Sequence, residues 1–149
     1  MNRDIESFKK CHTWAIVGAS AKRGSFGTHA FKELKQKGLS VIPVNPFYDE
    51  IDGDRCYASL KDLPSKPDAA LFVLPPWSAP AVVAEAEEAG ISRIWFQRGA
   101  DYSTAIEAAR KAGMTVVFGK CILMFAEPVK GIHAFHRFFS RLVGNVVLT

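Results

Sequence analysis

The sequence predicts an α/β fold, with a mostly parallel sheet of five strands and helices on both faces. Three observations carry this reading. A helix–glycine–strand junction recurs three times, the strands are continuous apolar runs, and the first strand empties into a glycine-rich turn. The junctions are Lys37-Gly38-Leu39-Ser40-Val41-Ile42-Pro43-Val44, Ala89-Gly90-Ile91-Ser92-Arg93-Ile94-Trp95-Phe96 and Ala112-Gly113-Met114-Thr115-Val116-Val117-Phe118. Glycine suits each helix stop because, lacking Cβ, it enters the left-handed conformation without a clash. Apolar strands without polar alternation are what a parallel sheet covered on both faces requires. Strands alternating with helices in this way imply right-handed crossovers and a Rossmann-like sheet.

The elements follow in order. Thr13 to Val17 is the first strand, and a helix from about Gly27 buries Ala30, Phe31 and Leu34 as one stripe. The second strand runs to Val44, and the third from Ala69 to Leu74. The next helix carries Val82, Val83, Ala86 and Ala89 on one face, with Ser78 as its expected N-cap and Pro80 in its first turn. Thr104 and Glu107 have capping-box spacing ahead of Ile106 and Ala109. The tail breaks the rhythm. Cys121 to Ala126 is apolar and closes at Glu127-Pro128. Ile132, Phe135, Phe139 and Leu142 then recur at helical spacing, predicting a C-terminal helical extension. Phe138 beside them adds more aromatic surface than one stripe needs, so this helix is expected to pack on the sheet edge or to join two copies into a homo-oligomer.

Composition narrows the class. The 149 residues suit one domain spanning 1–149, with no linker or low-complexity stretch. No apolar run approaches the roughly 20 residues that cross a bilayer. The polar, mixed-charge start is unlike a secretory signal, so the expected location is cytoplasmic, without membrane attachment. A net charge of +4 from scattered Lys and Arg favours a small anionic ligand over nucleic acid. Three widely spaced cysteines, Cys11, Cys56 and Cys121, indicate neither a disulfide framework nor a zinc site.

The candidate site starts where the first strand ends. Gly18-Ala19-Ser20-Ala21-Lys22-Arg23-Gly24-Ser25-Phe26-Gly27 joins glycines and small polar residues to the start of a helix. Backbone N–H groups of such a loop approach a phosphate closely, and the helix N-terminus sets partial positive charge behind them. Lys22 and Arg23 add two full charges. The dinucleotide fingerprint Gly-x-Gly-x-x-Gly is broken, because Ser20 and Arg23 stand at its second and third glycine positions. The carboxylate expected at the end of the second strand is replaced by Val44-Asn45-Pro46, and Asp49 and Glu50 read as a solvated turn. The P-loop pattern fails as well. Two more segments converge on the same crevice: Leu74-Pro75-Pro76-Trp77, a stiff apolar surface for a flat base, and Gln97-Arg98, an amide and a guanidinium.

These segments together resemble the stand-alone CoA-binding proteins, similar to the CoA-binding domain of succinyl-CoA synthetase α subunits. The matching motifs are Val17-Gly18-Ala19-Ser20, Pro43-Val44-Asn45-Pro46, Tyr57-Ala58-Ser59-Leu60-Lys61-Asp62-Leu63-Pro64, Leu74-Pro75-Pro76, Trp95-Phe96-Gln97-Arg98-Gly99 and the Cys121 to Pro128 segment. The resemblance implies a Rossmann-type domain holding CoA or an acyl-CoA. Its phosphates would lie on Gly18, Ala19, Ser20, Lys22, Arg23, Ser25 and Gly27. Val44, Asn45, Pro46, Tyr57, Leu74, Pro75, Pro76 and Gln97 would line the rest of the cofactor site.

No nucleophile, base and oxyanion site stand out together, so a binding module without its own chemistry is expected. It would act as a carrier, sensor or partner subunit. The alternative is an NAD(P)-binding enzyme or regulator on the same fold. His133 and His136 share a helix face but lack a third metal ligand, and no metal site is expected. His29, near the first helix start, could touch a phosphate. Cys56 and Cys121 follow strands two and five, where a rim position would bring either within reach of a thiol ligand by exchange; a buried free cysteine is the commoner reading for such residues.

Overall fold

A computed structural model describes residues 2–125. The expectations for the segment from Ala126 onward, including the helix around Phe135, Phe138 and Phe139, His133 and His136, lie outside the described residues. The chain opens with α1 (Asn2–Lys9), β1 (Thr13–Val17), α2 (Phe26–Gln36) and β2 (Ser40–Val44). A small hairpin of β3 (Glu50–Ile51) and β4 (Asp54–Arg55) follows. Then come β5 (Ala69–Phe72), α3 (Ala79–Glu88), β6 (Arg93–Gln97), α4 (Ser103–Lys111) and β7 (Thr115–Lys120). Five strands form one parallel sheet in the order β2-β1-β5-β6-β7. The fold is the expected Rossmann-like α/β sheet.

Strand alternation divides the core in two. Trp14 and Ile16 of β1, Leu71 of β5 and Trp95 of β6 pack with Ile5 and Phe8 of α1 and with Ala30, Phe31 and Leu34 of α2. Ala15, Val17, Phe72 and Phe96 face the other way, onto Ala79, Val83 and Ala86 of α3 and Ala105, Ile106 and Ala109 of α4. Because the central strands β1, β5 and β6 bury both faces, their sequences are largely apolar, while the edge strands β2 and β7 are less covered. Burying a side chain such as Phe31 or Leu34 contributes about 1.5–3 kcal/mol relative to leaving it exposed.

The three glycine stops share one geometry. Gly38, Gly90 and Gly113 all have positive φ. In each, the glycine N–H bonds a carbonyl three residues back, and the next N–H bonds one five residues back, as in Leu39 to Leu34 at 3.3 Å and Ile91 to Ala86 at 2.9 Å. This double closure satisfies carbonyls that the helix end would otherwise orphan.

Two expected caps are different in the structure. Ser78 already has helical backbone angles, because a 3-10 turn (Pro76–Ser78) runs straight into α3. Its hydroxyl donates to the Pro75 carbonyl at 2.8 Å instead of capping. Thr104 lies inside α4, whose N-cap is Tyr102 with no side-chain cap, while Asp101 just before it accepts the Ser103 N–H at 3.0 Å. Two further elements lie outside the expected series. Ile5 and Phe8, at helical spacing, bury one face of α1. The expected solvated turn at Asp49 and Glu50 is the start of the β3–β4 hairpin, closed by Asp52-Gly53 with both φ angles positive.

Candidate functional site

The sheet order sets the site. β2 lies on one side of β1 and β5 on the other, so the chain reverses direction across the sheet between β1 and β5. Open α/β sheets take ligands outside the carboxyl ends of the strands at such a switch point. Here those ends continue into the Gly18–Gly27 loop and into Val73-Leu74-Pro75-Pro76. The two are in intimate contact. A Cβ on Gly18, whose φ is +98°, would sit 2.0 Å from the Val73 carbonyl oxygen. Gly18 is therefore demanded by the approach of β1 to the end of β5, before any ligand is considered. Gly27 is equally tight: its Cβ would lie 2.3 Å from the Gly18 carbonyl oxygen. Close packing of the helix start on the strand end is the task of the third glycine of a dinucleotide loop. In this chain Gly27 performs it, in place of Arg23.

Between the two glycines the loop is held by its own small side chains. Ser25 caps α2, accepting the Thr28 N–H at 3.2 Å. The Thr28 hydroxyl is 2.8 Å from the Lys22 carbonyl and also reaches that of Ser20. Ser20 Oγ accepts the Lys22 N–H at 2.8 Å and lies 3.3 Å from the Tyr48 hydroxyl. Among the described residues, the N–H groups of Ser20 and Ala21 meet no acceptor. Lys22 and Arg23 are exposed, while Ala19 is buried. Thr28 and Tyr48 were not singled out in the sequence. Thr28 stands three residues after Ser25, a signal for a cap that was available; Tyr48 carries none.

The wall after β2 braces the loop. Asn45 Nδ2 donates to the Ala19 carbonyl at 2.9 Å, and its Oδ1 accepts the Phe47 N–H at 2.9 Å. Both ends of the amide are thus engaged within the protein. The buried Val44 accepts the Gly18 N–H at 2.9 Å through its carbonyl. Tyr57 extends this edge by a parallel bridge to Val44 and lies under the Arg55 guanidinium, 4.9 Å from its ring centre. Pro46 is exposed, and Phe47 is 87% exposed.

On the other side, Leu74 is half-buried and Pro75 and Pro76 are exposed, followed by Trp77 at 84% exposure. Gln97 stands one strand further out. It is only 7% exposed, and its Oε1 accepts the Ile122 N–H at 3.0 Å, fastening the segment after β7. The structure thus brings Gly18, Ala19, Ser20, Val44, Asn45 and Leu74 around the switch point and gives Gln97 a bracing role.

A family model described as a CoA binding domain matches residues 12–127. The chain belongs to the CoA-binding domain family. Its relatives include the ADP-forming acetate–CoA ligase I of Archaeoglobus fulgidus, 29% identical over 143 residues, which are 86% of this chain and 20% of the ligase. The corresponding ligase of Methanocaldococcus jannaschii is 39% identical over 77 residues, 52% of this chain and 11% of the ligase. The chain thus spans a fifth or less of these relatives. Among solved structures, a conserved hypothetical protein from Pyrococcus furiosus superposes with a TM-score of 0.71 at 43% identity, covering 74% of this chain and 96% of that one.

In this CoA-binding domain the cysteines follow the commoner reading at Cys56. Cys56 is buried under the wall rather than at a rim, with its Sγ 3.5 Å from the Asn45 carbonyl. Burial pushes its thiol up, outweighing that hydrogen bond. A neutral, enclosed thiol is a poor partner for exchange. Cys121 is half-buried after β7. No helix of the described residues is long and apolar enough to cross a membrane.

Proposed function

We propose that this chain binds coenzyme A or an acyl-CoA across the switch point between β1 and β5, as a carrier, sensor or partner module without chemistry of its own. The observation that carries the reading is the Gly18–Gly27 loop. It sits at the carboxyl end of β1, has N–H groups at Ser20 and Ala21 that meet no acceptor among the described residues, and opens an 11-residue helix. Such a start attracts phosphate, and the exposed Lys22 and Arg23 add charge to it. Exposed Pro75, Pro76 and Trp77 offer the flat apolar surface that a base requires. Asn45 acts from behind, holding the Ala19 carbonyl rather than touching the ligand. The polar side chains around the crevice, Asn45, Gln97 and Tyr102, are engaged with backbone groups, which favours binding over catalysis.

Calorimetry tests this directly. CoA is expected to bind with a dissociation constant of about 1 μM or lower, and NAD much more weakly. The reason is the missing glycine at Ser20 and the absence of a carboxylate in Val44-Asn45-Pro46. NAD binding more tightly than CoA would overturn the proposal. Ligand carried through purification and identified by mass spectrometry is the independent check.

A further inference from the structure

Tyr102 joins the loop after β5 to the loop after β6. It is buried just ahead of α4, and its hydroxyl donates to the Leu74 carbonyl at 2.6 Å while accepting the Leu74 N–H at 3.1 Å. One phenol therefore satisfies both backbone groups of a residue 28 positions away. The sheet offers Leu74 nothing comparable. Its ladder to β1 ends at Val73, whose N–H donates to Val17 at 2.8 Å, and the two prolines that follow have no N–H at all. The ring is fixed independently of the hydroxyl. It packs 5.3 Å from Phe96, which meets Phe72 edge-on at 5.2 Å. Burial also pushes the phenol up, so it keeps its proton and its donor at physiological pH.

The geometry points to Tyr102 as a positioning residue. It holds the Leu74-Pro75-Pro76-Trp77 wall in the ligand-ready shape, facing the Gly18–Gly27 loop, although it belongs to neither segment. The assignment rests on the reading of the crevice as the CoA site. Two prolines donate no hydrogen bond of their own; Ser78 closes the turn on the Pro75 carbonyl, and the anchored phenol fixes Leu74 at the root of that turn. The loop carrying Arg98 to Asp101 is thereby tied to the same wall.

The test is Tyr102→Phe, which keeps the ring and removes both hydrogen bonds. CoA affinity, measured well below the unfolding transition, is expected to weaken about tenfold. In the ligand-free protein, the amide resonances of Leu74, Trp77 and Ser78 are expected to shift and the Leu74 amide to exchange faster. The Leu74 amide must respond to loss of its own partner, so the Trp77 and Ser78 resonances decide: a merely structural role would lower the melting temperature while leaving the affinity and those two resonances at their parent values, and that result would overturn the proposal. A parent protein that does not bind CoA would sink the functional reading instead. The ligand-free spectra would then decide Tyr102 alone, with displaced wall resonances supporting it and unchanged ones refuting it. Should Tyr102→Phe fail to fold, a ring-fluorinated tyrosine in its place lowers the phenol pKa while keeping its shape. The wall resonances are then expected to move as alkali removes the donor, and a flat profile would be fatal.

Discussion

The two ends of the sheet are built by opposite rules. At the amino ends of the strands, backbone groups are closed off. Asp68 Oδ2 accepts the N–H groups of His12 at 2.8 Å and Thr13 at 3.1 Å. Its own N–H returns to the Thr13 carbonyl at 2.8 Å. Ser40 donates to His12 and Thr115 to Ser92, each at 2.8 Å, and Arg93 Nε reaches the Ser7 hydroxyl of α1 at 2.8 Å. At the carboxyl ends the chain leaves on glycines and prolines. Among the described residues the N–H groups of Ser20 and Ala21 meet no acceptor, and Lys22, Arg23, Phe47 and Trp77 stand exposed. The contrast separates stability from function within one sheet. A ligand needs donors that the protein has not already used, and the fold keeps these at its solvent-accessible carboxyl end, where water satisfies them in the absence of a ligand.

The largest expected break of this contrast is Gly18→Val. With the Val73 carbonyl oxygen 2.0 Å from the would-be Cβ and φ at +98°, the side chain must force β1 and β5 apart. A loss of at least about 4 kcal/mol is expected, read as failure to give a cooperative melt. A variant melting like the parent would show that this end is slack rather than tightly joined.

Next in size is Lys22→Ala combined with Arg23→Ala. CoA is expected to bind about 1–2 kcal/mol more weakly in total, roughly five- to thirtyfold, since both groups are charged donors in an exposed setting. The melting temperature should stay put, because neither side chain is packed. Unchanged affinity would move the phosphate site away from this loop.

Smallest is Asp68→Ala at the closed end. About 1 kcal/mol of stability should go, with CoA affinity untouched. The His12 N–H foremost, with that of Thr13, holds the Asp68 carboxyl below the usual carboxylate range. A depressed folded value means that its contribution is full above the unfolded pKa of about 3.9 and fades as pH falls through the folded value. The parent should therefore lose stability in acid more steeply than Asp68→Ala. Parallel acid limbs would remove this carboxylate from the account.

Much of this architecture was legible in the residues alone. The helix stops at Gly38, Gly90 and Gly113, the buried stripe of Ala30, Phe31 and Leu34, and the strand from Thr13 to Val17 all depend on periodicity and local conformation, which a sequence displays directly. The glycine loop and its place after the first strand were legible for the same reason. The β3–β4 hairpin carried a readable Asp52-Gly53 signal that its acidic neighbours disguised. Other features were decided only by the fold. Ser78 lost its cap because a 3-10 turn, set by Pro75 and Pro76, reached it first. Asn45 and Gln97 look like ligand groups in a string of letters, yet their amides are claimed by Ala19, Phe47 and Ile122. Nothing in the spacing links Tyr102 to Leu74. A sequence specifies which backbone conformations each residue favours and which faces must be buried. Which donor meets which acceptor across 28 or 26 positions depends on how the finished strands and helices stand against one another, and a hydrogen bond tolerates only a few tenths of an ångström of error in that.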